Sequence, residues 1–509
     1  MQRKQLTLVI VSLLVVVLSV SLAYFTTHII GKGNDVRVTS TNLQIVFTDT
    51  DGEIADSDIE PGWSATKTFT VQNNSKNEYK YNIVIKDLIN TFVTKGYLQY
   101  KITSTNNGYN MTEFKDIPKS ATATDTILAY SVAIPVGVTQ TYTIEFKYPN
   151  DENVDQGDDM GKVLKGTLFI TEGTEDIYAG YEEGTLGYQI MGDNPTRSTR
   201  DTYNAVFTNN TTGTLFTATE KNVHNIADTT VYYYAGNTTN NWVKFAGFYW
   251  RIIRTNADGS IRMLYSGTSH DTASGYINST TYAFNSTYNN PMYVGYMYGT
   301  SGSLVNNRKN TTNSTIKDKI DTWYTQNMTS YTKYLSTTAV YCNDRTEQTA
   351  GTYNTGSTAF FYAPYARVDT NYAPTYDCTE AGDAFSGSNT SAKLTYPIAL
   401  MTADEIMRAG GNVRAGLTSP YAWYYLNSAN GSITGETWWW LLSPDLWNGS
   451  NAYVSVVYGS SLPGRLHNGR VDYSGGVRPA ISLKSCIKYS AGNGTYNEPY
   501  EIEESSSGC

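Results

Sequence analysis

Charge is scarce in this 509-residue chain. Asp, Glu, Lys and Arg make up 16% of it, against roughly 25% in an average soluble protein. The balance is 37 basic against 46 acidic residues, a formal net charge of -9. Nucleic-acid binding needs clustered Lys and Arg to neutralise phosphate, so nucleic acid is excluded as a partner. Histidine is scarcer still, with only His28, His224, His270 and His467. That leaves little scope for His-based metal sites or His-driven acid–base chemistry. The sequence also lacks H-E-x-x-H, C-x-x-C, G-x-S-x-G, a P-loop and a G-x-G-x-x-G after a strand. Zinc hydrolysis, thioredoxin-like redox chemistry, nucleophile-elbow hydrolysis and phosphate cradling lose their usual supports. Low charge here does not mean disorder, because 40% of residues are hydrophobic. Tyr stands at 43 and Phe at 15, so the aromatic content is mostly amphipathic. At about 100–200 residues per domain, the length predicts two or three domains.

Only one long apolar run exists. Met1-Gln2-Arg3-Lys4 is basic, and Leu6 to Phe25 carries no charge. As a helix those residues would span about 30 Å, the thickness of a bilayer's hydrocarbon core. Residues 1–30 therefore read as a signal anchor or a signal peptide. Residues 6–25 would meet the membrane, with Arg3 and Lys4 holding the N-terminus inside. Ser21-Leu22-Ala23 has the small residues that a signal peptidase reads, so retention and cleavage both stay open. Either outcome exports the chain, to the cell surface or beyond.

Cysteine usage agrees with export. Residues 31–341 contain none; the four are Cys342, Cys378, Cys486 and Cys509. An even number in an oxidising compartment implies disulfides. Four cysteines allow three connectivities, and nearness in sequence favours Cys342–Cys378 with Cys486–Cys509.

Residues 34–173 read as an all-β module. Thr66–Val71, Tyr79–Ile85, Thr141–Phe146 and Leu164–Ile170 alternate apolar and polar residues, the mark of strands with one buried face. About seven such strands in some 140 residues predict a two-sheet sandwich. Leu22-Ala23-Tyr24-Phe25-Thr26, Ile59-Glu60-Pro61-Gly62 and Lys67-Thr68-Phe69-Thr70-Val71-Gln72-Asn73 resemble segments of the camelysin/TasA-type surface and biofilm-matrix proteins of Gram-positive bacteria. The resemblance implies a jelly-roll-like sandwich and a surface scaffold or matrix subunit. The metalloprotease activity described for camelysin does not carry over, because no His lies between Lys32 and Gly173.

Asp49, Asp51, Glu53, Asp56, Asp58 and Glu60 pack six carboxylates into twelve residues. No cofactor is expected apart from a structural Ca²⁺ here, with Asp49, Asp51, Glu53 and Glu60 at positions 1, 3, 5 and 12 of an EF-hand-like loop. Ile54 stands where that loop needs Gly, and the competing reading is a solvated hairpin. Asp151, Glu152, Asp155, Asp158 and Asp159 form a second acidic group of the same ambiguity.

Residues 174–240 are rich in Asn, Thr, Tyr and Gly and read as a connector that becomes a strand near Tyr232–Tyr234. Residues 241–503 are mixed α+β, and 504–509 form a tail. Phe245–Ile253 and Ile261–Tyr265 flank Asp258-Gly259, a hairpin signal. Ile316, Ile320 and Trp323 predict a helix near 314–330. Thr402-Ala403-Asp404-Glu405 is a capping box, stopped by Gly410-Gly411. Gly247–Ile253, Trp438-Trp439-Trp440-Leu441-Leu442-Ser443-Pro444 and Gly476-Val477-Arg478-Pro479 resemble a domain of unknown function from Gram-positive surface proteins. The order of elements is distantly similar to the C-type-lectin-like fold of formylglycine-generating enzymes. The catalytic cysteine pair of those enzymes has no match near 476–483. Calcium-lectin motifs are absent too, since Trp447-Asn448-Gly449 departs from W-N-D. The expected fold is β-rich and multidomain: a transmembrane helix, an immunoglobulin/jelly-roll-like β-sandwich, then an α+β C-type-lectin-like domain.

Trp438–Trp440 read as core, in a strand buried on both faces. Arg478 reads as a structural arginine holding loop carbonyls, with anion binding as the alternative. Tyr421, Trp423 and Trp447 lie in Asn-, Ser- and Gly-rich segments and are the candidate sugar-stacking rings. The expected function is binding or adhesion at the cell surface, with a glycan or a surface protein as ligand. A biofilm-matrix fibre subunit and an extracellular enzyme are the alternatives. The leading expectation is a non-enzyme. The basic N-terminus predicts that protease added to intact cells removes everything after Lys32; a protected C-terminal half, read by immunoblot, would reverse the orientation.

Overall fold

The structure is a computed structural model and describes residues 30–31, 36–40, 43–49, 59–94, 96–174, 176–269, 275–417, 423–424, 438–459 and 462–509. The apolar run 6–25 lies outside these. Among the described residues no helix is long and apolar enough to cross a membrane. The chain divides into two compact units, Met1–Asp176 and Ile177–Cys509.

Strand periodicity builds the first unit. Thr139–Tyr148 buries Gln140, Tyr142, Ile144, Phe146 and Tyr148, every second residue, because side chains of a strand alternate between faces. It belongs to a six-stranded sheet ordered Val36–Ser40, Leu43–Asp49, Trp63–Asn73, Thr139–Tyr148, Gln99–Ser104, Lys115–Asp116. A four-stranded sheet, ordered Ile30–Gly31, Leu164–Glu172, Tyr79–Asn90, Ser120–Ile134, supplies the other layer. Phe47, Phe69 and Val71 from the first sheet share one core with Ile83, Ile85 and Leu168 from the second. The result is a β-sandwich. Phe69 and Tyr142 stack at 4.8 Å. The Tyr81 hydroxyl donates to Gln140 at 2.6 Å, which satisfies a polar tip inside the core. The Pro61-Gly62 turn needs its glycine: Gly62 has φ 100°, where a side chain would be strained.

The second unit corrects the expected connector. Residues 177–240 are part of this unit. Thr185 caps the helix Leu186–Asp193, which buries Leu186, Ile190 and Met191. Thr196–Ser198, Thr214–Glu220 and Thr229–Tyr233 are strands of the central sheet. Thr229–Tyr233 is the strand expected near Tyr232–Tyr234; the other two are short and carry too few apolar residues to show a period, so composition read as linker. The expected tail is also docked. Cys509 joins Cys486, the Tyr334 hydroxyl donates to the Ser505 carbonyl, and Lys333 Nζ donates to the Ser506 carbonyl at 2.8 Å.

Phe248–Thr255 lies at the middle of the central sheet and pairs with Trp242–Phe245, Thr229–Tyr233 and Ile261–Tyr265. Ile261–Tyr265 pairs in turn with Pro479–Leu483, and that strand with Ile398–Leu400. The helix Thr315–Asn327 lies where the Ile316, Ile320, Trp323 spacing predicts and is capped by Ser314, and Ala403–Ala409 starts at the predicted Thr402 capping box. Gly410, φ 121°, ends the latter. A separate four-stranded sheet, Phe360–Phe361, Trp439–Trp447, Ala452–Val457 and Leu466–Arg470, carries the tryptophan motif. Cys342–Cys378 and Cys486–Cys509 are bonded. Closing loops of this size contributes roughly 3–4 kcal/mol each by loop-closure entropy, and such bonds belong to an oxidising compartment.

The core of this unit is partly ionic. Arg254 bonds Glu220 at 2.6 Å and Glu405 at 3.0 Å, and Arg262 bonds Glu405 at 2.7 Å; all four side chains are at most 3% exposed. Burial alone would raise the Glu405 pKa, but the two guanidinium charges outweigh it and hold the carboxyl below its ordinary range. Glu405→Ala leaves two buried cations short of an anion and should cost roughly 3–5 kcal/mol in denaturant unfolding. Glu501→Ala, which breaks the half-exposed Lys244–Glu501 pair, should cost under about 1 kcal/mol. Equal losses would remove the lattice from its central place.

Candidate functional site

A cavity of about 270 Å³ opens beside the tryptophan sheet. That is near the small end of ligand pockets, roughly 300–1,000 Å³. All four strands of that sheet and a short helical stretch build it. Phe361 is on a two-residue strand opposite Leu446. The chain then turns into the helical stretch Ala363–Thr370, which carries Tyr365, Val368 and Asp369. Leu466, His467 and Asn468 come from the far strand, opposite Val457, Val456 and Ser455.

Asp445 is the polar centre of the cavity. It directly follows the Ser443-Pro444 of the motif, where the strand register shifts between Pro444 and Leu446. Such an irregularity re-aims a side chain. Asp445 is 5% exposed, and its Oδ1 accepts from Asn468 Nδ2 at 2.8 Å. Burial pushes its pKa up to about 7; the Asn468 hydrogen bond opposes the shift and the charge of Asp369 adds to it. Burial, with a hydrogen bond to Asp369, pushes Tyr365 up to about 12.

Aromatic rings form the cavity's rim. Phe361 and Tyr365 stack at 4.2 Å, 23° apart in plane, and Phe361 is 37% exposed. His467 stacks on Tyr458 at 4.8 Å. A ring pair with Phe361 exposed and Tyr365 half-buried, in one cavity with a carboxyl, an amide and Arg465, offers flat apolar contact plus donors and acceptors.

The sequence-predicted rings are elsewhere. Trp447 ends the strand Trp439–Trp447, is 2% exposed, and donates Nε1 to the Gly356 carbonyl at 2.8 Å. Trp423 is 3% exposed. Neither offers a face to ligand, which corrects the expectation that these loops present them. Tyr421 lies outside the described residues. Trp439 and Trp440 are fully buried, as the both-faces pattern predicts, and Trp438 is half-buried. Phe361, Tyr365 and Asp445 escaped sequence reasoning. Their one signal was an acid directly after the Ser-Pro of a tryptophan motif.

The acidic loops divide. Asp49 is buried in an ion pair with Lys67 at 2.8 Å, while Glu60 is exposed at the Pro61-Gly62 turn. Asp51 and Glu53 lie outside the described residues. Among those, no group of three or more side chains could hold a metal. In the second acidic group Asp159 is buried. Burial would raise its pKa, but hydrogen bonds from Thr94, Val93 and Tyr148 prevail and lower it. That carboxylate closes a loop. A second polar cleft, lined by Arg367, Asp344, Asp404 and Cys342, holds only about 20 Å³, room for about one water.

No protein-family model, curated protein or solved structure matches this chain.

The raised Asp445 pKa has a sign. Between the ordinary aspartate pKa and about 7, the folded state binds the proton that the unfolded state has lost. Folding stability should therefore fall as pH rises from about 4 to about 7 and level off above, by at most about 4 kcal/mol. Asp445→Asn keeps the acceptor for Asn468 and should flatten that slope. Parallel pH–stability curves for the two proteins would show that Asp445 ionises normally.

Proposed function

We propose that this chain is an exported surface protein whose second unit binds a glycan in the cavity framed by Phe361, Tyr365 and Asp445. The observation that carries the reading is the stack of exposed Phe361 on half-buried Tyr365 at a pocket with buried polar groups. Sugars present flat C–H faces and hydroxyl edges, which such a site complements. The two disulfides favour an oxidising, extracellular setting. The resemblance of the tryptophan and Gly-Val-Arg-Pro segments to surface proteins points the same way, as does the similarity of the element order to lectin-like folds. The immunoglobulin/jelly-roll-like sandwich then serves as a stalk, anchored or released according to the fate of residues 6–25.

Two other readings each have one observation. Ser120–Ile134 is a 15-residue strand at an open sheet edge, as a fibre subunit needs. Its repeated register shifts against Tyr79–Asn90 blunt that edge, so binding is favoured. Asp445 and Asp369 line one cavity, as a two-carboxylate glycosidase needs. Release of nitrophenol from chromogenic glycosides would establish that reading instead.

A glycan array with the full chain tests the proposal. Phe361→Ala should weaken the best ligand by about 1–3 kcal/mol, the scale of stacking a flat ring on an aromatic side chain. Its unfolding curve should barely change, whereas Trp439→Ala should cost roughly 3–5 kcal/mol of stability. Wild-type protein that binds no glycan, or Phe361→Ala that binds unchanged, would sink it.

A further inference from the structure

Two arginines in the second unit are buried with no carboxylate partner among the described residues. Arg251, on Phe248–Thr255, is 7% exposed, and Arg478, in the Gly-Val-Arg-Pro segment, is 0% exposed. Arg251 donates Nε to Asn241 Oδ1 at 2.7 Å and Nη2 to the Thr238 carbonyl at 3.5 Å. Arg478 donates Nε to the Tyr265 carbonyl at 3.0 Å and Nη1 to the Tyr424 carbonyl at 2.6 Å. Carbonyls satisfy donors but carry no countercharge. The remaining Nη2 of Arg478 is buried and has no hydrogen-bond partner.

Among the described residues the surroundings add donors and no anion. The indole N–H groups of Trp423 and Trp439 are buried and equally unpartnered. The Arg478 guanidinium is 5.1 Å from the Trp439 ring centroid, and that of Arg251 is 5.9 Å from the Trp423 ring centroid. Tyr424, whose carbonyl holds Arg478, is the neighbour of Trp423, so the four side chains form one cluster. Burial and the charge of Arg478 pull the Arg251 pKa well below the arginine range, and burial pulls Arg478 down to about 9. The nearby Arg254 and Arg262 differ, because Glu220 and Glu405 neutralise them. Buried charges persist in proteins when they are paired. Among the described residues this cluster has two cations, three unfilled N–H donors and no acid to accept from them.

We propose that a small monovalent anion, chloride in an extracellular setting, completes this cluster by accepting from Arg478 Nη2 while Arg251 supplies the second positive charge. The unfilled indole N–H groups line the same neighbourhood. All four side chains are at most 7% exposed, so the occupant is a monatomic ion and not a sugar. The site is separate from the Asp445 cavity and does not depend on the glycan reading.

Thermal unfolding of the full chain in sodium chloride and in sodium gluconate at equal ionic strength tests this. A ligand that binds only the folded state raises the midpoint with the logarithm of its concentration. Chloride and bromide should raise it by a few degrees and gluconate should not. Arg478→Gln should lose the chloride-specific rise, while Arg470→Gln, at a surface pair with Asp472, should keep it. If Arg478→Gln does not fold, crystals of the wild-type chain soaked in bromide give the answer. An anomalous peak within hydrogen-bonding reach of Arg478 Nη2 supports the site. Identical midpoints in the two salts, as expected if the protein supplies its own acceptor, or bromide only at the surface, overturns it.

Discussion

Glu405 is the joint on which the second unit is assembled. As the N3 residue of a capping box, it accepts from the Thr402 backbone N–H at 3.0 Å while the Thr402 hydroxyl accepts its own N–H. Its other oxygen accepts from both Arg254 and Arg262. Those arginines stand opposite each other on the central hairpin. Like charges placed so would repel, and only an acid from outside the hairpin relieves them. The helix start and the sheet are therefore tied through one carboxylate, with Glu220 balancing the remaining charge. The same solution recurs where Asp383 receives both Arg345 and Arg308. A chain with few charges has placed many of them inside, where each must meet a partner.

That allocation explains which parts of the fold were legible. The sandwich could be read because its long strands keep one face dry, as at Thr139–Tyr148, and alternation at Thr66–Val71 or Thr141–Phe146 survives any tertiary context. The apolar spacing of Ile316, Ile320 and Trp323 and the cap at Thr402 were equally local. What escaped is non-local. Thr196–Ser198 and Thr214–Glu220 are strands because a sheet already stands beside them, not through any period of their own. The tail is docked because the Tyr334 hydroxyl and Lys333 Nζ reach the Ser505 and Ser506 carbonyls across the chain. Apart from Cys509, whose pairing with Cys486 was legible, nothing in 504–509 announces a partner.

The candidate site failed in the sequence for a related reason. Tryptophan has the largest apolar surface, so it goes inside with the aliphatic core. Trp439, Trp440 and Trp447 fill the space between layers, and Trp447 turns its N–H to a carbonyl. The rings at the cavity are smaller ones, exposed Phe361 and half-buried Tyr365, brought there by a turn after a two-residue strand. An exposed phenylalanine in a Gly- and Thr-rich stretch has no sequence signature that separates it from an ordinary loop.

Asp445 shows how the motif and the cavity are one construction. Proline cannot donate to a strand ladder, so Pro444 interrupts pairing within the tryptophan strand. The register slips there, and the next residue leaves the alternation. In a regular strand Asp445 would follow the Trp439, Leu441, Ser443 face into the core. The slip leaves its carboxyl on the wall of a cavity, with one amide partner and a nearby Asp369. The tryptophans supply the rigid layer beneath it, and the proline supplies the irregularity. A segment that reads as pure core packing thus also aims the one acid that the cavity depends on.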